Sequence, residues 1–320
     1  MPYSGCGAAV CGLSAPTLGV TNAMSQSSNF LYAGLSELLM NEQSFDLGRG
    51  VTVRSAYAHM FANYMLAYTP APEGKPSPGP WKAARGGMAH DITAEVSIPA
   101  DGIPEIGSAH EIARAIVLVV RLGINPASCI AALSNRPFDA NAQASDADAW
   151  VRPEEVESRR FHLSADNSVV TNGSATWIAD RWPVAAKLSR ESAEFALAVD
   201  AITIGQYVHR SSLTMVAIWA ALEALFSPSS SELKFRVSAL IASFLESPGD
   251  SRRTRAKAVA RLYDKRSAAA HGKPTHDDSD LLASFNLMAE VLRKILDQSR
   301  VPSKEELESM LFGITAAPPQ

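Results

Sequence analysis

The sequence predicts a mainly α protein, an antiparallel helical bundle preceded by an N-terminal α+β domain. Three observations carry this prediction. After Pro183, turn-forming residues thin out and long stretches of 3.6-residue hydrophobic periodicity take over. Short breakers separate those stretches, which favours antiparallel neighbours and hence a bundle. Before Pro183 the periodicity is mixed, with alternating segments beside one apolar helical segment. For 320 residues, two domains of ordinary size are expected. The division reads as an uncharged flexible tail over 1–36, an α+β domain over 37–184, a helical bundle over 185–312 and a tail over 313–320.

Met1 to Ser36 has no charged side chain and is rich in Gly, Ser and Ala. It lacks the basic start and continuous apolar core of a secretory signal. It reads as a tail, with Met24 as an alternative start. Val51 to Ser55 follows the Gly48-Arg49-Gly50 turn as a short strand, and Ile92 to Ile98 alternates at period two. Between them, Thr69 to Pro80 carries five prolines and two glycines, the composition of an extended loop. Ser108 to Leu122 has helical spacing, with Ile112, Ala115, Ile116, Val119 and Val120 on one side and Gly123 placed as the residue after the helix. Ala127 to Leu133 reads as a buried strand, Ser134 to Val156 as an exposed excursion and Arg159 to Leu163 as a returning strand. Trp177 and Trp182 read as core near the join.

Six helices follow: Ala185 to His209, Ser211 to Phe226, Ser231 to Leu245, Ser251 to His271, Ser279 to Asp297 and Ser303 to Phe312. Ser227-Pro-Ser-Ser, Ser247-Pro-Gly-Asp and Gly272-Lys-Pro break the run, and Ser231 and Ser303 are placed to cap helix starts.

A net charge of −4 and a pI near 6.0 give no global attraction to nucleic acid, so any such contact needs a local basic patch. Three cysteines without a C-x-x-C pair imply a reducing, cytoplasmic setting and no structural zinc. No apolar run reaches the roughly 18 residues of a membrane span. Walker A, G-x-G-x-x-G, H-E-x-x-H and nucleophile-elbow motifs are absent.

An Arg and a His separated by four residues occur three times, at Arg54/His59, Arg85/His90 and Arg266/His271. Spacing alone cannot choose among them. The first pair lies on a strand segment and the second straddles Gly86-Gly87. The third ends a long helix, with Gly272 placed to stop it and Pro274 beyond. A cationic imidazole is favoured there by the helix dipole, which suits proton transfer. Five helical positions turn through about 500°, so the Arg266 and His271 directions stand about 140° apart. Either the Arg side chain curls round or the helix end is distorted.

Three ordered blocks surround this pair: Trp219 to Phe226, Glu232 to Ala242 and Leu262 to Gly272. Together they resemble the Apea-like branch of the HEPN superfamily, over about a third of the chain. The resemblance implies a dimeric helical bundle, and many such proteins are toxins or defence effectors that cut RNA without metal. It places Arg266 and His271 at the family's signature pair and implies an endoribonuclease, with RNA, including tRNA, a second copy and an antitoxin or trigger protein as partners. Many members carry Asn, Asp or His after the Arg, where this chain has Ser267, which can hydrogen-bond but not titrate. The Tyr that some relatives carry two residues after the His is Lys273 here.

Such cleavage needs an activated 2′-OH, a protonated 5′-oxygen and a stabilised phosphoryl group. His271 can move protons and Arg266 can clamp phosphoryl oxygens. One His cannot conveniently be base and acid together, so a composite site between two copies is the expectation. Glu223 is the only charge in Ser211 to Phe226. If it faces the core it should meet a cation, with Arg266 the obvious choice. The alternative is a solvent-facing Glu. Arg252, Arg253, Arg255, Lys257, Arg261, Lys265 and Arg266 form a basic run with Asp264 the sole acid. Together with Lys273 they are candidates for RNA contact, against the ordinary reading of a solvated helix face. A non-catalytic module that binds RNA or a protein partner is the competing function.

Overall fold

The computed structural model describes residues 29–141, 148–161, 163, 169–226 and 233–313. Its first element is strand β1 (Phe30–Ser36), in the segment expected to be tail. β1 is a central strand, flanked on both sides by antiparallel neighbours, with Ala33, Leu35 and Ser36 buried. Its lack of charge is thus that of a strand closed on both sides, where an unpaired charge would be costly.

β2 (Leu39–Met40), β3 (Ser44–Asp46), β4 (Thr52–Ala67) and β5 (Trp81–Pro99) follow, then helix α1 (Ala109–Gly123), β6 (Cys129–Ser134), helix α2 (Phe138–Asn141), β7 (Val151–Pro153) and β8 (Val169–Val170). The larger sheet has the order β3-β4-β5-β1-β6-β7, and β2 pairs with β8 in parallel. β4 and β5 run far past the short segments that alternation marks. Among the described residues the outer parts pair only with each other, and beyond Met60 neither face is covered, so no inside-outside pattern forms there. An extra β4 residue between Ser55 and Ala58 bends the ribbon where it leaves the sheet. Arg159 to Leu163 forms no strand among its described residues. Instead the N–H groups of Arg160 and Phe161 donate to the Gln206 carbonyl. Within the expected excursion, Phe138 is buried and Glu155 pairs with buried Arg121.

α1 starts at Ser108, whose hydroxyl accepts the Glu111 N–H while Glu111 returns to the Ser108 N–H. Its apolar residues are buried all round, because the helix lies between the sheet and the helices that follow. Gly123 is still helical rather than left-handed. Its role is close approach, since a Cβ there would stand 2.3 Å from the Trp177 ring.

The remaining helices are α3 (Asn172–Glu191), α4 (Ala193–Ile204), α5 (Ser211–Phe226), α6 (Leu233–Leu245), α7 (Asp250–Ala270), α8 (Asp278–Gln298) and α9 (Lys304–Leu311). The single helix expected over Ala185 to His209 is two. Ser192 breaks it with extended backbone and caps α4 by accepting the Phe195 N–H. Pro183 lies inside α3, so the boundary expected after residue 184 cuts a helix. Trp182 is fully buried and donates to the Leu47 carbonyl at 2.9 Å. One hydrophobic core runs from Ala33 of the sheet to Leu307 of α9.

α6, α7 and α8 run antiparallel. Lys234–Asp264 and Arg255–Glu246 join the first pair, and Lys265–Asp280 and Arg255–Glu290 the second. Ser303 caps α9 as expected, and the expected cap Ser231 lies outside the described residues. Among the described residues no helix is long and apolar enough to cross a membrane.

Candidate active site at the end of helix α7

α7 positions both residues of the signature pair. Its last turn closes with two hydrogen bonds, from the Gly272 N–H to the Ala269 carbonyl at 3.2 Å and from the Lys273 N–H to the Ala268 carbonyl at 2.9 Å. Gly272 has φ +73°, the left-handed conformation that this closure requires and that glycine adopts without a Cβ clash. His271 is therefore the capping residue. Its N–H still reaches the Ser267 carbonyl at 3.1 Å, while its own backbone (φ −90°, ψ 14°) has left the helix. The imidazole is exposed.

Arg266 sits one turn earlier and faces inward. Its Nη2 lies 3.0 Å from Glu223 Oε1 and donates to Oε2 at 3.1 Å. The guanidinium carbon stands 5.5 Å from the centre of the Tyr263 ring, a cation–π contact. Tyr263 in turn meets Trp219 edge-on, the ring centres 5.5 Å apart. Burial and then the neighbouring Glu223 carboxylate push the Tyr263 hydroxyl above its ordinary pKa. Four side chains from α5 and α7 thus interlock at Trp219, Glu223, Tyr263 and Arg266. Arg266 Nε is buried and makes no hydrogen bond among the described residues.

The pair itself is not joined. Among the described residues no hydrogen bond or ring contact links Arg266 to His271, which fits their divergent directions on the helix. Ser267 contributes its carbonyl to the His271 N–H, and its side chain is half-buried.

The basic run is largely committed to the fold. Arg252 donates to the carbonyls of Glu246 and Met310, and Arg253 pairs with Asp250. Arg255 joins Glu246 and Glu290, and Lys265 reaches the Thr275 carbonyl and Asp280. Lys257, Arg261 and Lys273 are exposed, and no ion pair is found for them among the described residues. The cationic surface is therefore smaller than the run suggests.

Tyr263, not singled out from sequence, is part of the Arg266 setting. The signal was present, since Trp219 and Glu223 are four apart and Tyr263 and Arg266 three apart, so each pair shares a helix face. The Arg54/His59 pair is split differently. Arg54 binds Glu95 and Asp139, while His59 binds Asp91 at 2.7 Å.

No family model, curated protein or solved structure matches this chain.

Proposed function

We propose that this protein is a metal-independent endoribonuclease of the HEPN type, acting as a homodimer in toxin or anti-phage defence. The observation that carries the reading is the end of α7. Arg266 is anchored by Glu223 with about a fifth of its side chain exposed, and an exposed His271 follows on a glycine-closed terminus. In this reading the 2′-oxygen attacks the adjacent phosphorus and the bond to the 5′-oxygen breaks, leaving a 2′,3′-cyclic phosphate. One His271 accepts the 2′-OH proton and the His271 of the second copy protonates the 5′-oxygen. Arg266 stabilises the charge on the phosphoryl oxygens, and Lys257, Arg261 and Lys273 guide the backbone.

The test is incubation of the purified protein with total RNA and tRNA in excess chelator, with products assayed for 2′,3′-cyclic phosphate ends. Cleavage that His271→Ala removes supports the reading. Intact RNA, or cleavage by His271→Ala at the wild-type rate, rejects it.

The neutralised basic run favours a second reading, a non-catalytic HEPN-like module that binds RNA or a protein partner. It predicts RNA binding that survives replacement of both Arg266 and His271, with no cleavage in either protein.

A further inference from the structure

Beyond β3 and β1, β4 and β5 continue as a ribbon with no other strand beside it among the described residues. β3 reaches β4 only from Thr52 to Arg54, and β1 reaches β5 only from Ile92 to Pro99. From Ala58 to Ala67 and from Trp81 to Ile92 the two strands pair with each other, so each leaves an edge that no other described strand pairs with. Ala58 and Met60 pack against the cluster around Phe138, and beyond them the faces are open as well. Tyr57, Phe61 and Tyr64 are 70, 68 and 65% exposed, with Met65, Leu66 and Trp81 half exposed. A two-stranded ribbon is marginal by itself in water.

The two edges differ in charge. Between Arg54 and Glu73 there is no Asp, Glu, Lys or Arg, whereas the β5 stretch carries Lys82, Arg85 and Asp91. Charges on an edge strand discourage further pairing, and an uncharged edge invites it. β5 is guarded and β4 is not.

We propose that β4 of one copy pairs antiparallel with β4 of a second copy, joining the two ribbons into a four-stranded sheet about a two-fold axis. The same edge then serves both copies, so this interface by itself closes at two. Pairing of β4 with the β5 edge of another copy would leave edges free and propagate, and it is the arrangement that the β5 charges oppose. From Ala58 to Ala67 the β4 edge carries no Asp, Glu, Lys or Arg in either copy, and its one histidine, His59, is held by Asp91 of its own β5, so like charges do not oppose the pairing. Ala58 to Ala67 spans about 34 Å and offers about ten ladder hydrogen bonds, the number found in a standard protein interface. The same lack of cations makes β4 a poor surface for a phosphate backbone. The proposal does not depend on the α7 site.

Sedimentation equilibrium of the full chain tests it, together with concentration-dependent hydrogen exchange. The expected wild-type mass is twice the 34.1 kDa of the chain, with β4 amides that exchange more slowly as concentration rises. Phe61→Lys with Tyr64→Lys changes two exposed side chains and should weaken the dimer about tenfold or more. A monomeric wild type, a dimer indifferent to the double substitution, or β4 exchange independent of concentration overturns the proposal. So does a monomeric wild type whose ribbon binds anionic-lipid vesicles or poly(U), which assigns the surface to lipid or nucleic acid. A dimer that persists in the double variant with RNA cleavage intact overturns the ribbon interface alone. Loss of cleavage in His271→Ala is read separately.

Discussion

Arg266 Nη2 lies 3.0 Å from Glu223 Oε1, and Glu223 is the only charged residue on α5. Each side chain is about four-fifths buried, at 21 and 18% exposure. Removing one partner of a fully buried pair costs several kcal/mol, and partial exposure reduces that by screening. Glu223→Ala should therefore destabilise the fold by about 1–2 kcal/mol in urea titrations. Glu223→Gln, which keeps an acceptor, should lose less. If Glu223 aims Arg266 at a phosphoryl group, Glu223→Gln should also lower RNA cleavage about tenfold, equivalent to about 1.4 kcal/mol in the barrier.

His271→Ala should leave stability within about 0.5 kcal/mol of wild type, because the imidazole is exposed and its structural bond is made by the backbone. Under the ribonuclease reading its cleavage rate should fall by about 10²–10⁴. Chemical denaturation beside the cleavage assay separates the two effects.

Gly123→Ala should destabilise by about 1–3 kcal/mol, since the added methyl meets the Trp177 ring and forces α1 and α3 apart. Pairing it with a smaller residue at 177 should recover part of the loss, measurable as a double-mutant cycle.

Trp182→Ala should cost about 3–5 kcal/mol through the cavity and the lost bond to the Leu47 carbonyl. Because one core serves sheet and helices, far-ultraviolet dichroism and tryptophan fluorescence should report a single coincident transition. A fragment of residues 185–312 should fail to fold, since it lacks Ala175, Ile178 and Trp182 of α3.

Stability should respond to acid through Glu111. The Ser108 N–H and then its hydroxyl hold the Glu111 carboxyl below its ordinary value of 4.5. A carboxyl depressed in the folded state stabilises above its unfolded pKa, and the contribution is lost as pH falls through the folded value. Glu111→Gln should therefore be less stable than wild type at pH 7 and converge with it below about pH 4.5. Ser108→Ala should cost about 1 kcal/mol as an ordinary cap deletion.

Features set by local chain chemistry were legible in the sequence. The limits of α5, the cap at Ser303 and the stop at Gly272 follow from periodicity and turn residues a few positions apart. The partner of Glu223 could be inferred because a single charge on an apolar helix has few ways to be satisfied. Features set by distant pairing were not legible. β1 looked like a tail because its neighbours β5 and β6 lie tens of residues away. The basic run looked free because its counter-charges Glu246, Asp280 and Glu290 stand on the flanking loop and on α8. Ser192 hid the break between α3 and α4, since a serine is tolerated inside a helix as well as at its start.

The placement of α3 limits how the sheet could influence the α7 site. Trp182 ties α3 to the loop before β4, and Arg181 on the same helix pairs with Asp297 of α8 at 2.6 Å. The sheet is not a tethered module free to swing toward a trigger. A signal received there would have to travel as a small displacement of a shared beam, and stiffening α3 would mute it without touching either end.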